Sequence, residues 1–490
     1  MTMAPTRVQV AIIGAGFAGL GAAMALRRAR VQSVAVLERG ATVGGTWRDN
    51  TYPGVACDVP SHLYGFAAHP NPAWSGVFAR GDEIREYLEG VAVAEGILPE
   101  LNTPMRSAAW DADAEVWRLD LGGAAPRILV ADALVLACGR LTEPSIPDVP
   151  GLETFPGPLF HTARWDHSVD LTGARIGVVG TGASAVQLVP ELARVADVTL
   201  FQRSPAWIVP REGHLYSEAE RAGFAADPTV LSELRGDLYA EGERRFPSRS
   251  GDAAASAAAR SVALEHLAAQ VSDLELRAAL TPDYAFGCKR VLLSDAFYPV
   301  LAAGAATLEA SALSSVDGST LVAASGRRHE ADVLVLATGF ASTQQPYAEL
   351  VRGETVTLAE HWSGGMTAYA STVVPGFPNM FVLNGPNASL GHNSSVLMIE
   401  EQAAYLARTL ARRRGVLRVR PDIEAAWTAE IDRAAASTPW IAGGCRNWYV
   451  DARTGRLTLL WPGTVDSFRA RLSAADGSEF LPMLAERRAS

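Results

Sequence analysis

Gly14, Gly16 and Gly19 form the pattern G-x-G-x-x-G, and an acidic residue, Glu38, closes the next apolar run. Glycine at the first position permits a tight turn, at the second it lets backbone approach a pyrophosphate, and at the third it lets helix and strand pack closely. Phosphate then meets the N-terminus of a helix, and a carboxylate roughly 20 residues on accepts hydrogen bonds from ribose hydroxyls. A second loop carries Gly180, Thr181, Gly182, Ala183, Ser184 and Ala185, with alanine where the third glycine stood. Aligning VAVLER with VTLFQR puts Gln202 at the place of Glu38, with Arg203 beside it. A carboxylate there repels a 2′-phosphate, whereas a neutral amide next to a permanently charged guanidinium accepts one. The residues therefore predict FAD at the first loop and NADPH at the second. An Arg203 paired to some surface carboxylate is the alternative.

The elements that must hold these loops are readable from apolar periodicity. VQVAIIG is a short strand ending in glycine, LGAAMALRRAR is a helix closing on basic residues, and VAVLE is the next strand, which together make a βαβ unit. RIGVVGTGASAVQLVPELARVADVTLFQR repeats the plan. Between them LTEPSIPDVPGLETFPGPLF is proline-rich, hence extended and stiff. ADALVLACGR and ADVLVLATGF echo one another and bracket residues 141–330 as an insertion. The expected fold is α/β with two Rossmann-like dinucleotide-binding domains. The FAD domain is discontinuous, 1–140 and 331–490; a linker spans 141–174 and the NADP domain 175–330. Residues 212–280 are rich in Ala, Glu, Leu and Arg and predict helices, read as a solvated excursion rather than a pocket cover.

A chain of 490 residues is too long for one core, which agrees with two domains. Its formal charge of −10 opposes nucleic acid, whose binding rests on Lys and Arg displacing counterions. VAIIGAGFAGLGAAMAL is uncharged but broken by glycines and at the short limit for a membrane span, so no membrane is expected. MTMAPTR has no signal pattern, and a cytoplasmic location is expected. Cys57, Cys138, Cys288 and Cys445 are widely separated without a CxxC, which suggests neither a zinc site nor a redox dithiol. For want of a cysteine pair a flavin-dependent disulfide reductase is set aside.

Two further stretches are unusual for loops. GGTWRDNTYPGVACD has turn-setting glycines and a proline with Trp47 and Tyr52 as flat surfaces suited to a flavin ring, and FPGPLFHTARWD spaces Phe155, Gly157, His161 and Trp165 regularly through the linker. Together they resemble the paired fingerprints of type I Baeyer–Villiger monooxygenases, and the second fills every position through Asp166. The resemblance continues through FQRSPAW, FGCKR, ATGF, GPNASLGHNS and LWPG, nearly the whole chain. It implies a flavoprotein that uses NADPH and dioxygen to insert oxygen beside the carbonyl of a ketone, through a peroxide anion carried on the flavin.

By the same resemblance Arg290 is the active-site arginine and Asp58 its partner carboxylate, while His161 couples the two domains rather than acting as a base. A fixed guanidinium suits the role because it keeps its proton and stabilises the negative adduct that forms when oxygen attacks a carbonyl. Gly45, Thr46, Trp47, Tyr64 and Met105 match flavin contacts, and Thr181 to Gln187 the pyrophosphate loop of the NADP domain. Arg203, Ser204 and Lys289 match the 2′-phosphate site, and Trp448 a residue that meets NADP. The family's Gly-Ala-Asn-x-Pro-Gly-Lys run after that tryptophan is absent, and Ala285 replaces a common proline. Two alternatives stay open: a nitrogen- and sulfur-oxidising flavin monooxygenase, and an NADPH-binding sensor on the same scaffold. Neither the particular ketone nor the oligomeric state is legible.

Overall fold

The apolar run Thr6–Ile13 forms strand β1, and the chain turns at Gly14 into helix α1, Phe17–Arg28, in a computed structural model that describes residues 6–412 and 415–482. Gly14 has φ of +110°, and a Cβ on it would lie 2.5 Å from the Ala137 carbonyl oxygen; on Gly19 it would lie 1.9 Å from that of Gly14. Both places demand glycine. α1 buries Ala18, Leu20, Ala22 and Leu26 and ends on Arg27 and Arg28, where basic charge complements the helix dipole. The uncharged stretch 10–26 is thus divided between strand, turn and helix. Among the described residues no helix is long and apolar enough to cross a membrane.

In the first sheet β1 lies between β2 (Val34–Leu37) and β5 (Arg127–Leu136), parallel to both. The antiparallel pair β3 (Met105–Asp111) and β4 (Val116–Leu121) extends it, and the strand Met380–Val382 returns beside the end of β5. The chain therefore leaves this sheet after β5 and rejoins it much later, as a discontinuous unit requires. The second sheet has five parallel strands in the order Ala306–Glu309, Asp197–Phe201, Arg175–Val179, Val333–Leu336, Leu159–His161. Two of these correct the expected boundaries. Leu159–His161 is an edge strand rather than free linker, and Val333–Leu336, beyond the expected end at 330, is a central strand of the insertion.

The regular spacing of FPGPLFHTARWD now has a packing reason. Phe155 is buried beneath the second sheet with Leu334 and Leu336, and Trp165 meets Phe160 edge-on at 4.9 Å. A Cβ on Gly157 would fall 2.1 Å from the Asp332 carbonyl oxygen, so only glycine admits this approach. His161 is 3% exposed, accepts a hydrogen bond from the Ala163 N–H on Nδ1 at 3.0 Å, and packs on Phe340 beside Gly339. Its ring joins the linker to the ATGF loop that leads back to the first sheet.

Burial draws the His161 imidazole down from 6.5 to about 4, so the folded protein holds it neutral. The unfolded chain binds its proton first as pH falls, so stability is full above the unfolded value and declines between about 6.5 and about 4, by at most about 3 kcal/mol from this group. His161→Asn keeps an acceptor for Ala163 and removes the titration. Melting temperature followed from pH 7 downward should fall less steeply in the variant than in wild type, with His62, also lowered to about 4, among the groups that keep a slope.

The helical insertion comprises Glu218–Ala226, Pro228–Arg244, Pro247–Ser250, Ala253–Gln270 and Leu274–Ala279. Helices are as the composition predicts, but the solvated-excursion reading is overturned. Leu238, Gly242, Arg245 and Arg249 line the cavity beside Asp58 and Arg290. The cysteines hold one pairing that the sequence reading did not propose. Cys288 and Cys445, 157 residues apart, are disulfide-bonded, while Cys57 and Cys138 are free. Among the described residues no His, Cys, Asp and Glu cluster could hold a metal.

Candidate active site

Glycine geometry builds the first cradle. Gly16 caps α1 with extended backbone, and Gly45, at φ +54°, caps the short helix Thr46–Asp49. A Cβ on Gly45 would come 3.2 Å from Gly16 Cα, so the two turns close on each other as only glycines allow. Glu38, 4% exposed at the end of β2, accepts from the Ala15 N–H at 2.9 Å, the Gly40 N–H at 2.7 Å and Arg48 Nη1 at 2.6 Å. Arg48 carries no motif signal in the sequence, and it fixes the carboxylate expected at a ribose. Met105 starts β3 in the core that holds Leu37, close to the Glu38 end of the cradle. Trp47 and Tyr64 mark the other end, where the indole N–H donates to the Tyr64 hydroxyl at 3.2 Å. Residues matched to flavin contacts thus spread along a groove rather than gathering at one point, as a long dinucleotide needs.

The second loop follows the same plan. Gly180 has φ +109° and would strike the Ala337 carbonyl oxygen if it bore a Cβ. Gly182 caps α2, Ala183–Leu192, which begins with Ala183, Ser184 and the fully buried Ala185. The Thr181 hydroxyl donates to the Ser204 carbonyl at 2.8 Å, and Lys289 Nζ donates to the Ser204 hydroxyl at 2.5 Å. Burial, then the charge of Arg203, lowers the Lys289 ammonium below its usual value. Neither Arg203 nor Lys289 has a carboxylate within ion-pair distance among the described residues, so the surface-pair alternative for Arg203 finds no partner there. Gln202 stands buried where Glu38 does in the first unit and donates to the Ala279 carbonyl at 2.7 Å. Two cations and a hydroxyl converge, with the Asp283 carboxylate in electrostatic reach of Lys289 but not ion-paired to it, an arrangement that fits a phosphate monoester.

Gln187, matched to the NADP loop, also ties that loop to the rest of the chain. Its amide donates to the Ala56 carbonyl at 2.9 Å and accepts from the Tyr52 hydroxyl at 3.0 Å, so it bridges α2 to the GGTWRDNTYPGVACD loop. That bridge brings the two nucleotide loops onto one crevice.

Asp58 and Arg290, 232 positions apart, meet in that crevice as a bidentate pair: Nε to Oδ2 and Nη2 to Oδ1, each 2.7 Å. The side chains keep 23% and 30% of their surface open. Burial pushes the Asp58 carboxyl up, but Arg290 outweighs it and holds it below the usual carboxylate range. The Asp58 charge in turn raises the guanidinium above its ordinary value. The pair thus survives intact across neutral pH. A cavity of about 60 Å³ opens beside it, closed by Arg249 of the helical insertion, by Val291 and by His392. Tyr449, 1% exposed, places its phenol beside Arg290, and burial keeps that phenol neutral. Its neighbour Trp448 meets it with tilted rings at 4.5 Å and accepts from the Ser342 hydroxyl through its carbonyl. The disulfide anchors this C-terminal segment to the residue before Lys289. Sequence offered no spacing signal for it.

Comparison with known proteins supports the same picture. A family model of an NAD(P)-binding Rossmann-like domain matches residues 12–80. The chain is 45% identical over 482 residues to a Baeyer-Villiger monooxygenase of Streptomyces coelicolor, covering 96% of this chain and 92% of that protein. To a Baeyer-Villiger monooxygenase of Pseudomonas aeruginosa it is 41% identical, covering 96% and 91%. Cyclohexanone monooxygenase from Rhodococcus sp. Phi1, solved bound to NADP+, superposes with a TM-score of 0.86 at 26% identity, covering 98% of this chain and 99% of that one.

Proposed function

The chain belongs to the Baeyer–Villiger monooxygenase family, and from that premise we propose that it inserts one oxygen atom from dioxygen beside the carbonyl of a ketone, giving an ester or lactone. FAD, reduced by NADPH, supplies the activation of dioxygen. The bidentate Asp58–Arg290 pair carries this reading. Gly14, Gly16, Gly19 and Gly45 would hold the FAD pyrophosphate and Glu38 its ribose; Arg203, Ser204 and Lys289 would hold the 2′-phosphate of NADPH.

The work of the side chains is set by charge. Attack of oxygen on a carbonyl carbon leaves a negative oxygen, and a cation already fixed nearby stabilises it without reorganising water. Arg290 is such a cation, and Asp58, by accepting from Nε and Nη2, sets its plane. The helical insertion on one side and His392 on the other narrow the approach to it. Neutral Tyr449 adds bulk beside the guanidinium without adding charge.

The test is product mass spectrometry over cyclic, linear and aryl ketones with purified protein, NADPH and air. A yellow protein should add one oxygen mass to some ketones. A protein that binds NADPH but oxygenates none of them would be the sensor of the alternative reading, and the assignment would be dropped.

A further inference from the structure

Arg140 follows β5 at the point where the chain leaves the first sheet, and it is 8% exposed. Its Nη1 donates to Asn384 Oδ1 at 2.7 Å, and its Nη2 donates to Ser389 Oγ at 2.6 Å and Ser395 Oγ at 3.2 Å. Its Nε is shut from solvent and has no partner among the described residues. Every acceptor is neutral. Ser395 opens the 18-residue helix Ser395–Arg412, whose N-terminus bears the positive end of the helix dipole. The charged or titratable neighbours are Arg290, a second cation, and the phenols of Tyr64 and Tyr449, both kept neutral by burial. Burial draws the guanidinium itself down to about 10, so it stays protonated at neutral pH.

A buried cation beside another cation and a positive helix end, with no carboxylate among its described contacts, is costly unless an anion completes the site. The proposed flavin site in this crevice, on which the inference rests, supplies one. The pyrimidine end of a flavin gains negative charge on reduction. Arg140 lies within electrostatic reach of Tyr64 and Arg290, at the Trp47–Tyr64 end of the groove rather than the Glu38 end. We propose that Arg140, with the N-terminus of helix Ser395–Arg412, is the counter-charge of the reduced isoalloxazine and sets its reduction potential, a positioning role separate from that of Arg290. FAD phosphate is the other anion that could use the same guanidinium, and the experiment separates the two.

The holoenzymes of wild type, Arg140→Gln and Arg140→Lys are reduced against indicator dyes, and FAD content and affinity are measured alongside. Arg140→Gln keeps a donor for Asn384 and removes the charge. Its reduction equilibrium should become at least about tenfold less favourable, a fall of about 30 mV for two electrons, with oxidised FAD still bound as in wild type. Arg140→Lys should stay closer to the wild-type potential. An unchanged potential in Arg140→Gln overturns the proposal, as does loss of FAD from a folded Arg140→Gln protein at unchanged potential of the remainder, since the guanidinium would then serve phosphate. If Arg140→Gln does not fold, Arg140→Met, of similar length and without charge, decides: a potential lowered by about 30 mV upholds the role of charge and a wild-type potential overturns it. A colourless wild-type protein removes the flavin reading itself, and this inference with it.

Discussion

Arg290→Ala is expected to lower ester formation from a good ketone substrate by about 100- to 1000-fold in kcat, the range seen when a preorganised oxyanion donor is lost. The size follows from where the residue stands. It is clamped by two 2.7 Å hydrogen bonds to Asp58, so its donor direction is fixed before the carbonyl arrives. Its charge is permanent over any working pH because Asp58 raises it. NADPH oxidation should continue in the variant, because the 2′-phosphate residues Arg203 and Lys289 are untouched; what should fall is the yield of ester per NADPH consumed. Arg290→Lys keeps the charge but cannot make both bonds to Asp58, and it should lie between. Sulfide oxidation, which builds no oxyanion, should be less affected than ketone oxidation in the same variants. Gas chromatography of the ester beside spectrophotometric NADPH loss reads both. Undiminished ester formation by Arg290→Ala would remove the proposed role.

How much of the fold and the site is legible in the sequence depends on how local each constraint is. The glycine loops are readable because Gly14 and Gly180 face backbone carbonyls at distances that forbid a Cβ, a demand that falls on residue type at fixed spacing. The second unit runs past its expected end because ADVLVL looks the same in either sheet; only pairing with Arg175–Val179 assigns it. The edge strand Leu159–His161 is three residues long and follows directly on Pro158, too short for any periodicity to speak. Asp58 and Arg290 come together only through motif resemblance, since 232 intervening residues carry no contact signal. The same distance problem hides the Cys288–Cys445 bond, because the absence of CxxC says nothing about cysteines paired across the fold. Arg48 and Arg140 escape a sequence reading because an arginine's role is set by what surrounds its far end. Glu38 needs Arg48 only once the turn at Gly44 and Gly45 folds it back. In the helical insertion the alanine-rich pattern names helices but leaves their inner face weakly marked, so the cover formed by Leu238, Gly242 and Arg249 could not be chosen over solvent.

The Arg203→Ala/Lys289→Ala double variant should lose the preference for NADPH. Lys289 is positioned by its 2.5 Å bond to the Ser204 hydroxyl and by the ring of Tyr284 at 4.7 Å, so its ammonium is preorganised rather than swept in from solvent. Arg203 approaches closely enough to lower the Lys289 ammonium, a mutual repulsion that a 2′-phosphate would relieve. A hydrogen bond to a charged group contributes about 1.5–3 kcal/mol, which is about tenfold or more for each residue. Removing both should therefore raise the KM for NADPH on the order of 100-fold, less if the two act as one unit. NADH carries no 2′-phosphate, and its KM should hardly move; the ratio of kcat/KM values then falls toward unity. Each single variant should also flatten the dependence of NADPH KM on ionic strength, because exposed Arg203 meets the phosphate near solvent where salt screens the attraction. Equal losses toward both nucleotides would place these cations in the fold of the loop rather than at the phosphate. The neutral Gln202 cannot supply discrimination in their stead, since its amide is already spent on the Ala279 carbonyl.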